Sequence, residues 1–173
     1  YLAESAAREA IAGNLEFARH QAKSAVALVP SKDVSGIAAL AMALSGDTAA
    51  AARVAKSLDQ QYPKDTIVQL DYLPMVRAAV ALSGHNSRKT EPDAVHALSV
   101  ATYELGNTSP DITFSLYPAY LRGQAFLAAG QGAEAAAQFR IVLGHPGVVL
   151  NQSIGALAHL GLGRALAASG DTA

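Results

Sequence analysis

Residues Tyr117–Gly147 read YPAYLRGQAFLAAGQGAEAAAQFRIVLGHPG, and this stretch decides the fold. Apolar residues recur at helical spacing on both sides of Gly130, which ends the first helix. Small residues (Gly123, Ala135, Ala136) stand where the two helices must touch. Tyr120, Phe126, Leu127, Phe139 and Leu143 fill the space between them. Two amphipathic helices joined by a glycine turn make a helical hairpin.

The rest of the chain reads as imperfect copies of that hairpin. Gly13, Gly46, Gly84, Gly130 and Gly170 each close an amphipathic segment, at spacings of 33, 38, 46 and 40 residues. Pro30 and Pro63, which close the second helices of the first two copies, are also 33 residues apart. The approximate units are 1–31, 32–64, 65–107, 110–147 and an incomplete 151–173, within a single domain spanning 1–173. A unit of this size cannot bury its apolar face alone and must stack on its neighbours. The expected architecture is therefore all-α, a right-handed superhelix of antiparallel helix pairs. The third unit is the least regular: Pro74 lies inside its long first helix and should kink it, and its second helix is expected from about Pro92 to Glu104.

Composition agrees. Of the 173 residues 51% are hydrophobic and 16% charged, too apolar for disorder, yet no uncharged apolar run reaches the roughly 18 residues of a membrane span. A soluble chain with no direct membrane insertion is expected. Alanine is abundant and aromatic residues make up only 6%, which favours helices packed closely through small side chains. A net charge of −1, with Arg88-Lys89 as the one basic cluster, provides no footprint for a phosphate backbone, so nucleic acid is not an expected partner. The absence of cysteine excludes disulfides and cysteine-ligated zinc. The chain opens at Tyr1 without a leader and stops at Gly170-Asp171-Thr172-Ala173, where a capped helix should begin, so it reads as an excerpt of a longer protein.

A helix-turn-helix unit near 34 residues, with small residues at the helix contacts, an aromatic in each helix and a closing proline, resembles the tetratricopeptide repeat. On that pattern Gly123 takes the first-helix glycine, Phe126 its aromatic, Gly130 the turn, Ala135 the small residue of the second helix and Phe139 its aromatic. Pro146 arrives one place early. Ala18 and Ala51 take the small second-helix position in the first two units, and Gly163 recovers the first-helix glycine in the last, while Met42 and Leu166 replace the first-helix aromatic. A narrower likeness lies in AMALSGDTAAAARVAKSLDQQYPKDTIVQ, YLPMVRAAVALSG, YELG, LYPAYLRGQAFLAAGQGAEAAAQF and GALAHLGLGRALAASGDTA. In this order they resemble the C-terminal repeat region of bacterial, especially acidobacterial, eukaryotic-like serine/threonine protein kinases. The likeness implies a kinase domain upstream, often followed by a membrane helix, with the repeats as the exposed interaction or sensing region. Similar repeats also occur in transcriptional regulators with an N-terminal DNA-binding domain.

No reaction class is written in the chain. It lacks a glycine-rich phosphate loop, an HRD-type catalytic loop and DFG. His20, His85, His96, His145 and His159 show no metal-ligand spacing, Ser5, Ser83 and Ser169 have no G-x-S-x-G context, and the carboxylates are scattered over polar faces. No cofactor or metal is expected. An array of this kind offers a concave groove lined by its first helices, suited to a protein or peptide partner. Aligned on the repeat, the groove candidates are Asp71 and Met75 in the third unit, Tyr117, Tyr120, Leu121, Gln124 and Leu127 in the fourth, and Leu160 and Arg164 in the fifth. Tyr117 and Tyr120 are suited to anchoring a ligand, and Gln124 and Arg164 to holding backbone or carboxylate groups. The competing reading is that the tyrosines pack between units and Arg164 is simply solvated. The expected function is a non-catalytic protein- or peptide-binding scaffold. Homo-oligomerisation through the helix after Ser153 and small-molecule sensing in the groove are the alternatives.

Overall fold

A computed structural model describes residues 1–83 and 116–170. These residues form nine α-helices and no strand: α1 Leu2–Ala12, α2 Leu15–Leu28, α3 Lys32–Leu44, α4 Thr48–Gln61, α5 Leu73–Leu82, α6 Tyr117–Ala128, α7 Gly132–Leu143, α8 Pro146–Val149 and α9 Ser153–Ala168. The second helix expected over Pro92–Glu104, Gly84 and the start of the fourth unit lie outside the described residues.

The helix boundaries follow from local chemistry. Gly13, Gly46, Gly130 and Gly170 have φ of 94°, 85°, 76° and 80°, the left-handed conformation that closes a helix and that a side chain resists. At Gly46 the reversal is sealed by paired backbone bonds, Gly46 N–H to Ala43 C=O and Asp47 N–H to Met42 C=O. The next helices open on side-chain caps. Ser31 Oγ accepts from the Val34 N–H at 3.3 Å and Asp47 Oδ1 from Ala50 at 3.2 Å, while Asp65 Oδ1 accepts from Val68 at 3.1 Å.

Short glycine turns fold α1 on α2, α3 on α4 and α6 on α7 as hairpins. Successive hairpins then stack, with α3 against α1, α2, α4 and α5, and α9 against both α6 and α7. In α3 every residue from Ser35 to Ala43 is buried, as expected of a helix surrounded on all sides. The core holds more alanine than any other residue, including Ala6, Ala39, Ala51 and Ala135 with no exposed surface. Alanine buries little area, so the stabilisation comes from letting helix backbones approach closely.

Tyr72 shows how close that approach is. A Cβ added to Gly36 would lie 2.5 Å from the Tyr72 ring, and the phenol donates to Asp33 Oδ1 at 3.1 Å. Three ion pairs among the described residues also bridge the repeats: Lys23 Nζ to Asp47 Oδ2 at 2.8 Å, Lys32 Nζ to Asp65 Oδ2 at 2.6 Å across one 33-residue period, and the more exposed Arg77 Nη2 to Asp59 Oδ2 at 3.6 Å.

The third unit departs from a simple proline kink. Residues Val68–Tyr72 form a π-turn that runs directly into α5, with the Leu73 N–H bonded to the Val68 carbonyl five residues back. Pro74, at the start of α5, has no N–H to give, and the widened turn ahead of it accommodates that missing donor. The segment expected to join the fourth and fifth units contains the short α8. It is followed by Leu150 at φ 51°, the described non-glycine residue with positive φ.

Candidate binding surface

The first helices of the units form a continuous row. α1 packs on α3, α3 on α5, α5 on α6 and α6 on α9, and α1 also touches α9. This row places most of the inner-face candidates inside the protein. Asp71 and Met75 retain 1% of their surface, Tyr117 none, Tyr120 8% and Leu121 1%. These five therefore correct the groove expectation: helix spacing finds the inward face, but that face is consumed by packing and is not open to a ligand.

Electrostatics agrees with the burial. Loss of solvent drives the Tyr117 phenol well above its ordinary range, opposed by the positive charge of Arg8 on α1. Burial also raises the Tyr120 phenol, with the Gln124 side chain and the Arg164 charge pulling the other way. The Tyr120 ring meets Phe139 edge to face, with centroids 6.0 Å apart at 61°. Both tyrosines are core residues that join units, as in the packing reading.

The remaining candidates lie nearer the surface. Gln124 and Leu127 are half-buried, whereas Leu160 and Arg164 on α9 are exposed. The pattern RGQAFLAAG (122–130) in α6 returns as LGRALAASG (162–170) in α9, with Gly123 and Gly163 each seven residues before the closing glycine. Ala6 and Ala39 hold the same place before Gly13 and Gly46, and neither has any exposed surface.

Gly123 is covered by its partner helix: an added Cβ would come 2.7 Å from the Phe139 ring. At Gly163 no described residue comes within 4 Å of an added Cβ. The opposite face of α9 is packed, with Gly161 2.6 Å from Phe139 and Gly132 of α7 2.6 Å from the Ala165 carbonyl, each measured from an added Cβ. α9 therefore has one closed face and one open face, the latter carrying His159, Leu160, Gly163 and Arg164.

Among the described residues no group of three or more histidine, cysteine or acidic side chains is arranged to hold a metal ion. His145 uses Nδ1 against the Ile141 carbonyl at 2.7 Å, within its own helix end, and His20 and His159 are exposed. His85 and His96 lie outside the described residues. No described helix is long and apolar enough to cross a membrane.

Sequence reasoning missed Gly36 and Gly161, both pressed against aromatic rings. Their only signal is a glycine inside a helix, which is costly unless something needs the space. Comparison with protein-family models, with curated proteins and with solved structures finds no match.

Proposed function

We propose that this chain is a non-catalytic scaffold of tetratricopeptide type whose docking face is the open side of α9. Its occupant is an amphipathic helix of a protein partner that presents an aromatic side chain to Gly163, as α7 presents Phe139 to Gly123. The observation that carries this reading is the uncovered Gly163, because the repeat itself shows what covers its counterpart. Leu160, 50% exposed beside it, supplies apolar surface, and Arg164 supplies a charge that selects a partner with a nearby acid. The resemblance to kinase C-terminal repeat regions supports a role as the sensing or interaction region of a signalling serine/threonine kinase.

The α7 sequence itself is a suitable probe. A labelled, end-capped peptide of residues 131–144, QGAEAAAQFRIVLG, should bind the chain saturably in fluorescence anisotropy. Changing Phe139→Ala in the peptide, or Gly163→Phe in the chain, should weaken binding at least fivefold. Space at Gly163 allows the latter substitution without disturbing the fold. Equal binding by the Gly163→Phe chain, or none to the parent chain, would remove α9 from the reading. Light scattering adds the remaining arm: mass that rises with concentration, and falls back in Gly163→Phe, would identify a second copy as the occupant.

A further inference from the structure

Exposed apolar surface gathers at two places that complement each other. Among the described residues, six of the eight large apolar side chains left open to solvent lie in residues 1–29, the first hairpin and its flanks, and a seventh is Leu160 beside Gly163. On α2, Phe17, Gln21, Ser24 and Leu28 follow helical spacing and share one face, with Phe17 52% and Leu28 69% exposed. Leu28 continues that face into a shallow apolar cavity of about 200 Å³, which Leu2, Ala3 and Val34 also line. One 33-residue period on, the same places hold Ala50, Val54, Ser57 and Gln61, and the last three face Val26 and Pro30 of the preceding unit across a cleft. The stripe on α2 is therefore the face that a second helix turns towards a preceding unit, and in α2 it stays open.

Phe17 has what Gly163 lacks. Within the fold, Phe139 of α7 lies over Gly123 and also meets Tyr120, three residues earlier, edge to face. In α9 Leu160 holds the place of Tyr120, three residues before Gly163, so a ring arriving on Gly163 meets Leu160 as well. The amphipathic helix α2 carries such a ring on its open side. Charge agrees with shape. Arg164, next to Gly163, makes no ion pair among the described residues. Glu16, next to Phe17, is 89% exposed with Arg19 at 2.9 Å as its ion-pair partner, and its acceptor-only carboxylate has room for a second cation.

Resting on the docking reading of α9, we propose that the partner is a second copy of this chain and that the docked helix is its α2. Phe17 of one copy sits on Gly163 and against Leu160 of the other, and Glu16 lies near Arg164. Ring and seat are different surfaces, so the contact is heterologous: each copy gives α2 to one neighbour and receives α2 from another. With a single aromatic anchor and a small contact area, it belongs among weak, concentration-dependent associations.

The test uses complementary defects in the whole chain. In sedimentation equilibrium the mass of the parent should rise with concentration up to about 1 mM, which reaches weak association. Phe17→Ala and Gly163→Phe should each weaken self-association at least tenfold. Each alters a position open to solvent, so helical circular dichroism should stay at the parent's level. Mixed in equal amounts, the two variants should form a one-to-one pair, because the first keeps its seat and the second its ring. Glu16→Lys or Arg164→Glu alone should weaken association several-fold, and the double variant should recover it. A parent that keeps the mass of one chain throughout, a Gly163→Phe chain that still associates, or a mixture that forms no pair would each overturn the proposal. The first of these outcomes, found with the α7 peptide still bound, leaves the docking face on α9 intact and assigns it to another protein. Found with no peptide binding, it removes both.

Discussion

Gly123 and Gly163 occupy the same place in two copies of one repeat, and their surroundings are opposite. At Gly123 the paired helix presses an aromatic ring onto the backbone, while at Gly163 no described residue covers the same backbone. A glycine in mid-helix costs roughly 0.5–1 kcal/mol against alanine, so each position calls for a compensation. In α6 that compensation is visible as the packed Phe139. In α9 no described residue supplies it, and the proposed partner helix would.

The sharpest way to break this contrast is to remove the ring on which it depends. Phe139 is fully buried and wedged between Gly123 and Gly161, so Phe139→Ala should cost about 3–5 kcal/mol in urea unfolding. A loss below about 1 kcal/mol would mean that α6, α7 and α9 do not share one core. Next in size, Gly123→Ala places a methyl 2.7 Å from that ring and should destabilise by about 1–3 kcal/mol, partly relieved when Phe139 is also shortened to leucine.

A smaller effect separates the two halves of the molecule, because the bridging ion pairs among the described residues lie in the first three units. The Asp65 carboxyl is held below its ordinary range, first by the Lys32 hydrogen bond and then by the Val68 N–H, and Asp47 is held low in the same direction by Lys23. A depressed carboxylate contributes stability above its unfolded pKa and loses it as the pH falls through the folded value. Asp65→Asn should therefore cost under about 1 kcal/mol at neutral pH and flatten the acid limb of the stability profile below about pH 4. The raised pKa of Lys32 gives the mirror case, with stability lost only as the pH climbs past the ordinary lysine range. Smallest, and opposite in sign, Gly163→Ala should stabilise the chain by about 0.5–1 kcal/mol, since an added methyl meets nothing. Thermal unfolding of the Gly123→Ala and Gly163→Ala pair, measured side by side, reads the whole comparison in one experiment.

The parts of this structure that were legible in the sequence are those set by local chemistry. Helical spacing and glycines that tolerate positive φ are properties of a few neighbouring residues, so Gly13, Gly46, Gly130 and Gly170 could be placed from the chain alone. Which side of a first helix reaches solvent depends on what packs against it from elsewhere. Tyr117 and Tyr120 carry the right spacing for an exposed groove and are nevertheless enclosed by neighbouring helices.

The π-turn at Val68–Tyr72 acts on the repeat much as a one-base insertion acts on a reading frame. Upstream of it, residues fall in phase with the Asp65 cap, while downstream they keep the phase of the helix that follows Pro74. A ruler laid along the chain from either end therefore disagrees with itself in the middle. Two arrays can share every contact and still fail to align by spacing when one of them carries such a turn.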